Sequence, residues 1–201
     1  MIKNNIKFLL FVSLASLLLQ SSIALSAEKE GSADFDLKVR EMALACREEV
    51  IKELQTLLAA KRLTVAQLFD TFYIPIANTI PQKFTTQYDK IIDPVLKPIL
   101  DKYLVKDNRL LFVVAVDKNG YLPTHNSKYS LPQTSDPDYN TKYSREKRLF
   151  NDRTGLAAAK NTQPFLLQKY SRDTGEELFD VSVPIVIDDK HWGAIRIGYT
   201  K

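Results

Sequence analysis

The most constraining feature of this sequence is the alternation of apolar and polar residues in the segment Leu110–Tyr199. This pattern predicts a strand, a turn and a second strand over Leu110–His125, followed by an irregular stretch and a short helix. Three further strands are predicted at Pro164–Ser171, Glu177–Ile187 and His191–Tyr199. The chain is therefore expected to fold as an α+β domain around a five-stranded antiparallel sheet, with helical material between the second and third strands.

Turn sequences separate the predicted strands. The run Asp117-Lys118-Asn119-Gly120 is a hairpin turn of the Asn-Gly kind. Two further turns are predicted at Ser171–Gly175 and at Asp188-Asp189. Asp173, with Glu176 or Glu177, flanks the first of these turns, and these acids are interpreted as solvated turn residues rather than as paired catalytic carboxylates.

Polar side chains occur on one face of the last two predicted strands. Asp180 and Ser182 share a face of their strand, and Arg196 shares a face of the last strand with Trp192 and Ala194. Polar groups on the inner face of a curved sheet would line a pocket for a small ligand. The alternative is that this face is solvated, in which case these polar residues lie on the surface.

A long helix is predicted before the sheet. Apolar residues recur at helical spacing over Phe35–Leu63, strong helix formers fill the other positions, and neither Gly nor Pro occurs there. Residues 28–108 are therefore interpreted as a helical region and residues 109–201 as a sheet subdomain of one domain. Cys46 lies in this helix as the single cysteine, so no internal disulfide forms, and a buried apolar role is expected for it.

Two more helices are predicted between the long helix and the sheet. Thr64 is suited to cap a short helix that extends through Phe72. A helical pattern also covers Tyr88–Leu104, but it contains Pro94 and Pro98. Two prolines four residues apart are expected to kink or break that helix.

The N-terminus has the pattern of a secretory signal peptide over residues 1–27. Lys3 and Lys7 supply a positive start, the apolar run Phe8–Leu19 follows, and small residues then offer a cleavage site. The alternative is an uncleaved anchor over Ile6–Leu25, which is long enough to span a bilayer. The sequence thus predicts a periplasmic protein.

Charge and motifs limit the function classes. The formal net charge is +4, and loss of the leader lysines lowers it to roughly +2. No basic run with interleaved aromatic residues is present, which argues against nucleic-acid binding. No Gly-x-Ser-x-Gly, P-loop, His-Glu-x-x-His or Cys-x-x-Cys-His motif occurs either, so the sequence predicts neither an enzyme nor a metal or covalent haem site.

Several segments of this sequence, in the same order, resemble the sensor region of bacterial methyl-accepting chemotaxis proteins. Those regions are Cache domains, which are extracytoplasmic relatives of PAS domains, and the resemblance covers roughly residues 64–199. The segments are Leu68-Phe69-Asp70, Tyr73-Ile74-Pro75-Ile76, Pro81-Gln82-Lys83-Phe84, Ala115-Val116-Asp117-Lys118-Asn119-Gly120-Tyr121, Pro123-Thr124-His125-Asn126, Lys147-Arg148-Leu149-Phe150-Asn151-Asp152 with Gly155, Leu166-Leu167-Gln168-Lys169-Tyr170-Ser171-Arg172-Asp173-Thr174-Gly175-Glu176, Asp180, Pro184-Ile185, His191-Trp192-Gly193 and Arg196-Ile197-Gly198-Tyr199.

The resemblance implies extracytoplasmic recognition of a small molecule by a PAS-like fold with a long N-terminal helix. Chemotaxis receptors continue into a second membrane span, a HAMP linker and a methylated coiled coil, none of which this sequence contains. The expectation is therefore a stand-alone sensing protein without a transmembrane output of its own. Its partners would be a small polar or anionic organic ligand and a membrane receptor or kinase.

Candidate ligand-binding residues are polar or aromatic and lie near the end of the second predicted strand, in the irregular stretch, or on neighbouring strands. His125 offers a donor or acceptor, with a purely structural histidine as the alternative. Arg148 could clamp a carboxylate, or it could pair with Asp152. The full candidate set is His125, Asn126, Tyr129, Tyr143, Arg148, Gln168, Tyr170 and Asp180.

Two other function classes are compatible with the sequence. The first is a periplasmic haem-binding or redox protein that uses His125 or His191 as an axial ligand, although no cofactor is otherwise expected. The second is an interaction scaffold without a ligand, in which the helix over Phe35–Leu63 forms a homodimer.

Overall fold

The computed structural model describes residues 33–173 and 175–201, so the predicted signal peptide over residues 1–27 lies outside the described residues. The chain divides into two units, Met1–Lys38 and Val39–Lys201. The described part of the first unit, residues 33–38, is helical. In the described ranges no helix is both long and apolar enough to span a membrane.

The second unit begins with helix α1 over residues 39–59. Its polar face carries Glu49, whose Oε1 accepts a hydrogen bond of 2.7 Å from the Tyr103 hydroxyl. Burial raises the pKa of the Cys46 thiol to about 12, with the charge of Glu49 acting in the same direction, as the apolar role predicted for this cysteine requires. The buried stripe of α1 consists of Val39, Met42, Ala43, Cys46, Val50, Leu54 and Leu57.

Three short elements follow α1. Helix α2 spans Val65–Leu68 and has the predicted capping box, in which Thr64 and Gln67 exchange hydrogen bonds. It ends before Phe72, the predicted end, because the Asp70 side chain accepts the Phe72 N–H and turns the chain. Strands β1 (Ile74–Ile76) and β2 (Lys83–Thr85) then form an antiparallel pair.

Helix α3 spans Asp89–Leu104 and contains both prolines, so the expectation of a broken helix was wrong. Pro94 and Pro98 are exposed, whereas Ile92 and Leu96 are buried. Because the two prolines lie four residues apart, the backbone carbonyls that lose their partners occur on one solvent-facing side of the helix. The buried face packs on strand β3, so the helix continues through the prolines.

The main sheet has four strands, in the order β3, β8, β7, β6, and all three pairings are antiparallel. The strands are β3 (Leu110–Asp117), β6 (Leu166–Ser171), β7 (Glu177–Ile187) and β8 (Lys190–Tyr199). The mixed helix and antiparallel sheet architecture agrees with the predicted α+β class. The predicted fifth strand is not part of this sheet.

The segment predicted as the second strand pairs elsewhere. Strand β4 (Tyr121–Leu122) forms a separate two-stranded sheet with β5 (Arg148–Leu149). Gly120 and Leu122 accept backbone hydrogen bonds of 2.8 and 2.6 Å from the β5 region. The edge of β3 is occupied instead by the Asn126 side chain, which accepts the Val113 N–H at 2.9 Å. The two predicted strands therefore separate after the turn instead of pairing as a hairpin.

The stretch between β4 and β6 contains three further helical elements. A 3₁₀ turn covers Ser127–Tyr129, and helix α4 covers Pro137–Tyr143. Helix α5 covers Arg153–Ala159, with Asp152 as its N-cap, and it packs on β6, β7 and β8. Ala159 of α5 and Phe150, which follows β5, pack against the face of β3 formed by Phe112, Val114 and Val116.

Candidate functional site

The polar residues of the sheet form two rows across neighbouring strands. Val114 on β3, Arg196 on β8 and Ser182 on β7 are paired in register, and so are Gly198 and Asp180 in the next row. Residues directly opposite each other on adjacent strands project to the same side of a sheet. Asp180 and Ser182 are fully buried and Arg196 is 6% exposed, so this face is enclosed rather than solvated.

A pocket of about 310 Å³ lies next to this face of the sheet, and Arg196 forms part of its lining. An inner cavity of about 40 Å³ shares Arg145, Phe150, Tyr170, Arg172 and Arg196 with it, so the two form one site. The pocket is additionally lined by Asp152, Ser171 and Asp173. The inner cavity is additionally lined by Phe112, Val114, Val116, Leu122 and His125.

The floor of the site is apolar because alternate side chains of β3 face it. Phe112, Val114 and Val116 are two residues apart and belong to one buried apolar cluster. Phe112 lies opposite Gly198, and a methyl group on Gly198 would come within 2.2 Å of the Phe112 ring. The missing side chain at Gly198 therefore makes room for the aromatic ring that forms part of the floor.

Arg196 is held by the buried acid on the neighbouring strand. Its Nε donates to Asp180 Oδ2 at 2.9 Å, and its Nη2 donates to the same oxygen. Burial raises the pKa of Asp180, against the opposing charge of Arg196. Among the residues that the structure describes, Asp180 Oδ1 and Ser182 Oγ are buried without a hydrogen-bond partner.

Arg145 and Arg148 share a different acid. Arg145 Nη2 lies 2.9 Å from Asp173 Oδ1 and Arg145 Nη1 lies 3.3 Å from Asp173 Oδ2. Arg148 Nη2 lies 3.2 Å from the same Oδ2. Burial works to raise the pKa of Asp173, but the charges and hydrogen bonds of the two arginines hold that pKa below its ordinary value.

Arg172 is placed by aromatic rings. Its guanidinium carbon lies 5.7 Å from the ring centroids of both Phe112 and Tyr129, within the range of a cation–π contact. Its Nη1 donates to Glu176 Oε2 at 2.9 Å, and the Glu176 side chain is about half exposed. The guanidinium of Arg172 is thus held in the site by rings, with its carboxylate partner at the solvent side.

His125 is a buried neutral residue at the inner end of the cavity. Its Nδ1 accepts the Asn126 N–H at 2.7 Å, so the proton of the neutral ring is on Nε2. Its ring packs against Tyr129 and Phe112 at centroid distances of 4.8 and 6.3 Å. Burial, together with the positive charge of Arg145, lowers the pKa of His125 well below its ordinary value.

This burial predicts a specific pH dependence of stability. Below the ordinary histidine pKa of about 6.5 the unfolded chain binds a proton at His125 that the folded chain does not bind, so the free energy of unfolding should fall as the pH falls. We expect His125→Gln to flatten the slope between about pH 6.5 and 5 in denaturant titrations. His191→Gln is the matched control at the other histidine, and an unchanged slope in His125→Gln would contradict a buried neutral ring.

Four of the predicted site residues lie at this site. His125 and Tyr170 line the cavity. Arg148 lies beside the cavity, where it pairs with Asp173 and its guanidinium carbon lies 4.9 Å from the centroid of the Phe150 ring. The alternative ion pair with Asp152 does not occur among the ion pairs of the described residues. Asp180 forms an ion pair with Arg196, and Arg196 lines the pocket.

The other four predicted residues make contacts within the fold. Asn126 holds the edge of β3 and also reaches Asp101, and Gln168 donates to the Thr154 carbonyl at 3.2 Å. Tyr129 packs on His125, between that ring and Arg172. Tyr143 packs against Tyr139 with the two rings tilted and their centroids 5.0 Å apart, outside the lining of the cavity.

Three residues of the site, Arg145, Arg172 and Asp173, were not predicted from the sequence as functional candidates. Arg172 and Asp173 lie in a predicted turn, where charged residues are ordinarily solvated. Arg145 precedes the Arg148 motif by three residues and has no motif of its own. Three arginines within residues 145–153 could have indicated an anion site. The acid that pairs with two of them, Asp173, is remote in sequence.

The histidines are both engaged by backbone groups. His191 Nε2 contacts the Ala159 carbonyl oxygen at 2.8 Å, and His125 Nδ1 contacts the Asn126 N–H. Within the described residues no group of three or more His, Cys, Asp and Glu side chains could hold a metal ion.

Comparisons with known proteins give only distant structural similarities. No family model and no curated protein matches this chain. The ligand-binding domain of the Campylobacter jejuni chemoreceptor Tlp3, solved in complex with L-valine, is similar with a TM-score of 0.48 and 16% identity. That similarity covers 83% of this chain and 53% of the Tlp3 domain, so this chain spans about half of its length. A C-terminal domain from Streptococcus mutans has a TM-score of 0.27 and 11% identity, over 65% of this chain and 92% of that one.

Proposed function

We propose that this protein binds a small organic anion in the pocket beside its main sheet. The observation that supports the proposal is the convergence of Arg145, Arg148, Arg172 and Arg196 around a site with an apolar floor. A guanidinium presents a planar fork of N–H donors that matches a carboxylate, so arginine is suited to recognise that group. The expected ligand therefore combines a carboxylate or similar anionic group with a short apolar part.

The size of the site restricts that ligand. A volume of about 310 Å³ is at the lower end of the range for small-molecule pockets. The inner cavity, at about 40 Å³, has room for only a small apolar group next to Phe112 and Val114. Both volumes favour a ligand of a few carbon atoms over a large planar cofactor.

The biological setting is part of the same proposal. The predicted leader over residues 1–27 supports a periplasmic location, and the resemblance to Cache domains supports sensing by a protein that informs a membrane receptor or kinase. We propose binding without catalysis, because the acids next to the arginines, Asp173 and Asp180, act as their counter-ions. Haem binding and a ligand-free scaffold are the alternatives that the experiment has to separate.

The test is a thermal-shift screen of the protein from Glu28, followed by calorimetry of any hit. We expect small carboxylates to raise the melting temperature and Arg172→Gln to weaken their binding by about 10- to 100-fold, since a hydrogen bond to a charged group contributes about 1.5–3 kcal/mol. Arg172 is chosen because its partner Glu176 is at the surface, so the variant leaves no fully buried charge unpaired. The matched control is Arg153→Gln, the same change at an exposed position of α5 that is not part of the lining.

Each alternative predicts a different result. A flat screen over a cooperative melt would contradict the proposal and favour the scaffold, which a truncation of α1 then tests by light scattering. A haem absorption band that is lost in His125→Ala or His191→Ala would favour the haem protein. Equal losses of affinity in Arg172→Gln and Arg153→Gln would show that the ligand responds to net charge rather than to this site.

A further inference from the structure

We propose that the Asp173 carboxylate occupies the anion site when no ligand is bound, and that a ligand binds by displacing this carboxylate from Arg145 and Arg148. This inference rests on the proposed function, because it concerns how the same pocket accepts an anion. It adds a residue that sets the affinity and selectivity of the site without touching the bound ligand.

The geometry of Asp173 is that of a bound carboxylate. Both of its oxygens face Arg145, at 2.9 and 3.3 Å, and Oδ2 also lies 3.2 Å from Arg148 Nη2. Arginine recognises a carboxylate ligand in the same way, with two N–H groups of one guanidinium donating to the two oxygens of one carboxylate. The same donors cannot hold a second carboxylate in the same way, so a ligand that uses them has to replace Asp173.

The burial of the three side chains shows which of them can leave. The Arg145 and Arg148 side chains are 6% and 12% exposed, whereas the Asp173 side chain is 35% exposed. Asp173 can therefore turn towards water at a small desolvation cost, while the guanidinium groups stay in the site and need an anion. Asp180, the counter-ion of Arg196, has no exposed surface and lacks this freedom.

The two arginines are held in place independently of Asp173. Arg145 Nη1 donates to the Thr141 carbonyl at 2.7 Å, and Arg148 Nη1 lies 3.3 Å from the same oxygen. Both guanidinium groups also stack on the Phe150 ring, at 5.0 and 4.9 Å from its centroid. These contacts keep both guanidinium groups in the pocket when Asp173 departs, so the site remains ready for another anion.

Competition with an intramolecular carboxylate has a consequence for selectivity. Asp173 is covalently attached close to the arginines, so its effective concentration there is high and a simple monocarboxylate competes poorly. Asp173 pairs with Arg145 and Arg148, so a ligand that also contacts Arg172 gains a further interaction. The wild-type site is therefore selective for ligands that use both parts of the pocket.

The test compares acetate binding to the wild type and to Asp173→Asn, which removes the charge but keeps the shape. Binding is measured by NMR titration of the arginine side-chain N–H signals at constant ionic strength. We expect Asp173→Asn to bind acetate about tenfold more tightly, because the internal competitor is removed. The matched control is Glu177→Gln on the same hairpin, which makes the same change in charge at an exposed pair with Lys169 and should leave acetate affinity unchanged.

The possible results separate this inference from the proposed function. If carboxylates bind the wild type but acetate binds Asp173→Asn no more tightly, the displacement model is wrong and the proposed function stands. If no carboxylate binds either protein, both fail.

A second measurement uses the wild type alone, so that poor folding of the variant cannot obscure the result. The ¹³C-detected titration of Asp173 should move towards the ordinary pKa of an aspartate in saturating trifluoroacetate, a carboxylate that stays ionised over the pH range in which aspartate titrates, and a pKa that stays low would overturn displacement.

Discussion

Asp180→Ala is expected to lower the free energy of unfolding by about 3–5 kcal/mol, the usual cost of leaving one partner of a buried ion pair unpaired. Asp180 is fully buried and Arg196 is only 6% exposed, so the guanidinium has little access to water when the carboxylate is removed. Denaturation in urea, monitored by the fluorescence of Trp192, measures the change. Trp192 is a suitable probe because it is buried, with its indole N–H bonded to the Leu68 carbonyl at 2.9 Å.

Two further variants separate the cost of leaving a buried charge unpaired from the effect of removing a negative charge. Glu177→Ala removes an acid from the same strand, but its partner Lys169 is exposed, and we expect a loss of only about 0–1 kcal/mol. The double variant Asp180→Leu with Arg196→Met replaces the pair by apolar side chains and should recover most of the stability lost in Asp180→Ala. If Asp180→Ala costs no more than Glu177→Ala, the pair is not enclosed as the structure describes.

The last three strands could be predicted from the sequence because their signals are local. Strand β7 has the predicted bounds Glu177–Ile187, and β8 begins one residue before the predicted His191. Alternation of apolar and polar residues requires only a few neighbours, and the turns between the strands carry their own residue preferences. The pairing of consecutive strands follows from those turns.

The second predicted strand was wrong because its pairing depends on residues far along the chain. The Asn-Gly turn after β3 forms, with Gly120 at a φ of +80°. The segment after the turn then pairs with Arg148–Leu149 instead of returning along β3. No local pattern distinguishes these two partners, since the competing hydrogen bonds come from a loop more than twenty residues away.

The site was only partly predictable for a similar reason. The strand residues Tyr170 and Asp180 could be placed on one face by alternation; in the structure Tyr170 lines the pocket, and Asp180 forms an ion pair with Arg196, which lines it. The ion pair between Arg145 and Asp173 joins residues 28 positions apart, with β5, α5 and β6 between them in the chain. A turn carboxylate is solvated by default, and only the tertiary structure shows that this one faces the buried Arg145 and the half-buried Arg148.

Gly193→Ala is expected to destabilise the fold by about 3 kcal/mol or more, at the upper end of the cost of overpacking. A methyl group at Gly193 would lie 2.0 Å from the Val116 carbonyl oxygen and 2.6 Å from the Asp117 Cα. Both are backbone atoms of β3, the strand that pairs with β8 at this position. A side chain could rotate away, but the paired backbone can move only if the two strands separate, so we expect reduced soluble yield and a lower urea midpoint.

Two other glycines provide controls of graded severity for this prediction. Gly175 has a φ of +85° and open space around its Cα, so Gly175→Ala tests the conformational cost alone, about 1 kcal/mol. At Gly198 the methyl group would meet the Phe112 ring, which can rotate towards the inner cavity. Gly198→Ala should therefore cost less stability than Gly193→Ala but weaken carboxylate binding by narrowing the floor of the pocket. Equal stability losses at Gly193 and Gly198 would show that β3 yields as easily as a side chain, contrary to the close pairing of β3 and β8.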